Sequence, residues 1–175
     1  MINTNERAKE LYTIYLGSTF HMGRDGVSDE YQQYAISLAQ EAEWRAELVG
    51  LWTSKLSGHD REPILRLWQL CAKEAIPQLL DFANEGDDHI KLVRANAMWA
   101  IATCRDSRYI IESDPEIERR AMKAAIDVWR SIAEAPEVSV TDQDFTPYDG
   151  SKPEDFIRAW ALTNLEGVPT GRVRL

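Results

Sequence analysis

Asp142, Asp144 and Asp149, with Phe145 and Tyr148 set between them, are the residues whose types and spacing most invite chemistry. Carboxylates this close together can ligate a hard cation or steer a basic partner. A calcium loop needs a glycine midway and a closing glutamate. Counted from Asp142, those places hold Pro147 and Pro153, so no metal is expected. Steering remains. Between Glu134 and Asp155 seven acids face the single base Lys152, in a chain whose formal charge is −9. Such a segment draws in positive charge over long range, and Phe145 and Tyr148 supply aromatic anchors of the kind that carry binding energy. Asp142, Asp144, Phe145, Tyr148 and Asp149 are therefore the first candidates for a partner-binding site. The plainer reading is that the acids are solvated and the aromatics hold the loop to the fold.

His21, Arg24 and Asp25 form the second candidate group, within residues 17–34. That stretch has glycines at 17, 23 and 26 and aromatics at Phe20, Tyr31 and Tyr34. It reads as an irregular loop, stapled to the helices by its aromatics, with a recognition loop as the alternative and a short hairpin between Thr19–Met22 and Val27 around the Asp25-Gly26 turn. A catalytic histidine needs a positioned partner, and nothing near His21 spells one out. The pairs His59-Asp60 and Asp88-His89 stand at helix starts, where neighbours in sequence point to different sides; capping explains them. Cys71 and Cys104 fall on apolar sides of predicted helices and are expected as buried, reduced thiols. The chain has no glycine-rich phosphate loop, no His-x-x-x-His or Cys-x-x-Cys and no nucleophile elbow. No catalytic residue and no cofactor is expected.

Apolar residues at helical spacing must position these groups. The periodicity predicts helices from Asn3 to Leu16, from Ser37 to Leu56, from Asp60 to Cys71, from Ser113 to Pro136 and from Ser151 to Gly167. Ser37, Asp60 and Ser151 are expected caps, and Ser113-x-x-Glu116 an expected capping box. The six tryptophans fall about one to a helix, as core packing requires. Two irregular loops, 17–34 and 136–151, and a tail, 168–175, complete a single all-α domain over 1–175 with about seven helices.

Residues 74–105 are its expected centre. Ile76, Leu79, Leu80 and Ala83 fall on one helical face, Asn84, Gly86, Asp87 and Asp88 make a turn, and Ile90, Val93, Ala97, Ile101 and Cys104 follow on a second helix. Ala75-Ile76-Pro77-x-Leu79-Leu80, then Asp87 and Asp88, then Val93-Arg94-x-x-Ala97-x-x-Ala100-Ile101, resembles a HEAT repeat. The resemblance covers about one repeat, and no second full copy follows. It implies antiparallel helical hairpins, arranged as a HEAT-like α–α superhelix or an irregular bundle, that bind other macromolecules.

Composition narrows the partner. Hydrophobic content of 44% and charged content of 28% are those of a soluble globular protein. The first residues, MINTNERAKELY, are polar, and no apolar run is long enough to span a bilayer; a cytoplasmic protein is expected. The negative charge argues against nucleic acid and against an anionic membrane. The expected function is a non-catalytic protein-interaction module, in its specific form an acidic immunity-type protein that occludes a basic nuclease toxin. The alternative that the resemblance implies is an enzyme built on HEAT-like helices, such as an alkylpurine DNA glycosylase. It would need a basic concave surface, which the charge disfavours.

Overall fold

The helix Asp88–Thr103, α7, has twelve buried positions in its sixteen, and the other helices are laid around it. The computed structural model describes residues 4–105, 113–142 and 145–168. Among them are nine α-helices and no strand. These are α1 (Thr4–Tyr15), α2 (Thr19–Arg24), α3 (Ser28–Gln33), α4 (Leu38–Ser54), α5 (Arg61–Gln69), α6 (Ile76–Asp81), α7, α8 (Pro115–Glu134) and α9 (Pro153–Gly167), with a 3₁₀ turn at Lys73–Ala75 before α6. The fold is all-α, and the helices pack as a bundle.

Two faces of α7 serve two cores. Ile90, Val93, Ala97, Met98 and Ile101 pack with residues of α1, α4, α5 and α6, while Leu92 and Ala95 pack with Trp129 and Ile132 of α8 and Ile157 and Ala161 of α9. Burial of each large apolar side chain contributes about 1.5–3 kcal/mol, more than any single cap, so the stripes decide the fold and the caps decide where helices stop. Asn96 bridges the second core: its Oδ1 accepts from Trp129 Nε1 at 2.9 Å and from Asn164 Nδ2 at 2.8 Å. That buried network fixes the register of α9 against α7 and α8.

Buried arginines close two of the turns. Arg94, on α7, donates to the carbonyls of Phe82, Glu85 and Ser57. Arg45 does the same for Leu70 and Cys71, and its guanidinium also meets Glu74. Both guanidiniums add side-chain bonds to carbonyls at the helix ends and in the turns that follow them. Gly86 lies where the Arg94-bound turns touch. Its φ is +86°, and a Cβ there would stand 2.1 Å from the Gly58 carbonyl oxygen, so only glycine fits.

Several sequence expectations change. Residues 17–34 hold α2 and α3 rather than an irregular loop with a hairpin. Ser18 caps α2 by accepting from the His21 N–H, and Met22 and Tyr31 sink into the first core; two buried anchors spaced for helices overrode the glycine signals. Asp114, not Ser113, caps α8, because the Ser113 hydroxyl is drawn to the Glu118 carboxylate. Ser151 bonds Asp149 instead of capping α9, whose first residue is the proline that needs no donor partner.

Cys71 and Cys104 are a disulfide, not reduced thiols. The end of α5 turns through a left-handed residue, Cys71 at φ +47°, and this brings the thiol beside the end of α7, against which α5 packs. No helix among the described residues is long and apolar enough to cross a membrane.

Candidate functional site

The acidic connection after α8 is tied down at its start and open at its tip. Val138 is buried in the second core. The next residues are held by the two aspartates that begin α7. The Asp88 N–H donates to the Ser139 carbonyl at 2.9 Å, and the Ser139 N–H returns a bond to Asp88 Oδ2 at 2.8 Å. Asp87 caps α7 through Oδ1, accepting from the Ile90 N–H, and with Oδ2 takes both the N–H and the hydroxyl of Thr141 at 2.6 Å. Burial pushes the Asp87 carboxyl up, yet the three bonds it accepts outweigh that and hold it below the usual carboxylate range.

Beyond Thr141 the chain folds over His89. This imidazole is only 2% exposed, with Nδ1 4.0 Å from Asp142 Oδ2 and its ring packed against Phe145 at a centroid distance of 4.1 Å, tilted by 36°. Asp142 also faces Arg61 at 3.7 Å. Burial lowers the His89 pKa; the carboxylates of Asp87 and Asp142 oppose this, and Arg61 adds to it.

The tip looks outward. Tyr148 is 89% exposed, and its ring stands edge-on to Phe156 at 5.4 Å and 85°. Phe156 in turn meets Phe145 at 5.9 Å and Trp160 at 5.7 Å. Together with Asp149 and one face of α9, these rings line an open groove of about 490 Å³. Asp149 Oδ1 accepts from both the N–H and the hydroxyl of Ser151, and those bonds hold its carboxyl below the usual range. The Asp149 side chain is thus ionised at the groove's edge.

The five first-ranked residues divide accordingly. Asp142 and Phe145 turn toward the fold, although Phe145 also forms the groove's inner end. Tyr148 and Asp149 form its rim. Asp144 lies outside the described residues. Phe156 and Trp160 were legible only as inward positions of the last helix; the aromatic wall they make with Tyr148 arises from tertiary packing. The tie from α7 did leave a trace, since Asp87-Asp88 supplies one carboxylate more than a cap requires.

The second group is also brought together. His21, Arg24 and Asp25 line a hollow of about 350 Å³ between α1, α2 and α5, beside Arg66 and Gln69. Its charges are largely matched internally. Arg24 Nε donates to Asp25 Oδ1 at 2.7 Å, which raises the arginine pKa and lowers that of the carboxyl, and Arg66 faces Glu62 at 3.3 Å. Among the described residues no three His, Cys, Asp or Glu side chains converge as a metal site would need.

Comparison with protein-family models, with curated proteins and with solved structures finds no match.

Proposed function

We propose that this chain is a protein-interaction module without catalytic activity, and that it receives a basic partner on the surface formed by Tyr148, Asp149 and the groove along α9. One observation carries the reading: Tyr148 is left 89% in water at the rim of an aromatic groove, within the chain's most acidic segment. A tyrosine with two torsions and a large face loses little entropy on contact, and such residues dominate interface energies. Asp149, Glu154 and Asp155 are exposed beside it and give the surface the sign that steers a cationic partner. Asp142 belongs to the loop's internal fastening rather than to this surface. The resemblance of residues 74–105 to a HEAT repeat supports a binding role, and the immunity-type reading, in which a basic toxin is covered, is its specific form.

The test is a photo-crosslinking amino acid placed at position 148 in the full chain, expressed in its native host, with the exposed Lys123 of α8 as the control position. A covalent adduct with a basic protein at 148 and none at 123 is expected. An adduct at 123 alone, or none at 148, removes the surface from consideration.

A further inference from the structure

The groove's lining is more specific than an apolar patch. Phe145, Tyr148, Phe156 and Trp160 present rings to it, Asp149 contributes a carboxylate, and no basic residue is among those that line it. Their mutual contacts are tilted or edge-on, with interplanar angles of 58°, 85° and 71°. Rings meeting at steep angles cannot hide all their faces against one another, and aromatic faces are negative. A wall of such faces with an ionised acid at its edge is complementary to a delocalised cation. Elsewhere the protein already uses that attraction: Lys55 Nζ stands 4.8 Å and the Arg66 guanidinium 5.8 Å from the centre of the Trp52 ring.

Building on the interaction reading above, we infer that the groove receives an arginine side chain of the partner, its guanidinium stacked on the aromatic wall and hydrogen-bonded to Asp149. Arginine fits better than lysine because its planar, weakly hydrated fork stacks on a ring and meets a carboxylate at once. Asp149 is pre-set for this. Its Oδ1 takes both Ser151 bonds, so the turn fixes the carboxylate while Oδ2 takes neither.

Three blocked tripeptides, acetyl-Gly-Arg-Gly-amide and its lysine and norleucine counterparts, are titrated at constant ionic strength into the full chain. The Trp160 indole N–H and the Tyr148 ring protons are followed by NMR. The arginine peptide is expected to give saturable shifts at both rings, the lysine peptide weaker ones and the norleucine peptide none. Asp149→Asn keeps an oxygen for Ser151 but loses the charge, and should weaken arginine binding roughly 2- to 5-fold; Tyr148→Ala, at an exposed site, should weaken it comparably without unfolding. The inference is overturned if the norleucine or lysine peptide binds as well as the arginine peptide, if Asp149→Asn leaves affinity unchanged, or if the arginine peptide gives no saturable shift. A failed peptide titration beside an intact crosslink at 148 would discard arginine recognition alone. Saturable arginine binding without a crosslink would discard the partner surface and leave the groove as a small-cation site.

Discussion

Phe145 lies on His89 with ring centroids 4.1 Å apart, so the aromatic residue that sequence marks as a partner anchor also fastens its own loop to the start of α7. Phe145→Ala should therefore cost about 1–3 kcal/mol, less than for a fully buried phenylalanine because Phe145 is only partly buried, and release the tip locally. Hydrogen exchange at the Thr141 amide should accelerate while α8 amides stay protected; equal protection of Thr141 in both proteins would show the stacking to be incidental.

The same cluster makes stability pH-dependent, and the signs agree. Burial depresses the His89 pKa below 6.5, so the unfolded chain takes up that proton first, and stability falls as the pH drops below the ordinary histidine value. Asp87, depressed below 3.8, contributes stability above that value and loses it as pH falls through its folded pKa. Acid denaturation should thus show an early component that His89→Gln removes and a late one that Asp87→Asn removes. Urea midpoints measured from pH 7.5 to 3 check this; an early component unchanged in His89→Gln would refute the assignment.

Asn96 holds α9, and through it the groove. Asn96→Ala leaves the Trp129 N–H and the Asn164 amide without their shared acceptor, at an expected cost of about 2–4 kcal/mol. Asn96→Leu, which keeps the volume but removes the acceptor, should be destabilised at least as much as Asn96→Ala if acceptance rather than volume is what matters. Thermal melts of the two variants separate these causes.

Cys71–Cys104 closes a loop over a sequence separation of 33. Restricting the unfolded chain in that way contributes about 3–4 kcal/mol in the loop-entropy account. Reduction, or Cys71→Ser with Cys104→Ser, should lower the melting temperature without loss of helix by circular dichroism. The same pair bears on the compartment. Disulfides persist in oxidising surroundings, so differential alkylation in the native host decides between the cytoplasmic expectation and an oxidising one.

Much of the architecture was legible from local chemistry. The α7 stripe, the Ser37 and Asp60 caps and the Gly17 stop are nearest-neighbour features, and each stands where periodicity or capping places it. What escaped depends on residues far apart in sequence. The Cys71–Cys104 bond needs the α5–α7 packing, the Asp87–Thr141 tie spans 54 positions, and the groove needs Tyr148 set against α9. In residues 17–34, the glycines and aromatics signal a loop more strongly than the spacing of Met22 and Tyr31 signals the two short helices. Within the candidate site, charge and aromatic content single out the segment 136–151, but which of its side chains face outward is decided by the packing on His89 and the bonds to Asp87.

The measurement closest to the central claim is the dissociation constant of the crosslinked partner for the unmodified chain, for Tyr148→Ala and for Leu38→Ala, the last being an apolar residue 63% exposed on α4. Tyr148→Ala should weaken binding by roughly 30-fold or more, as loss of an interface hot spot does, with its melting temperature unchanged, while Leu38→Ala binds as the unmodified chain does. Equal affinity for all three proteins would contradict the account.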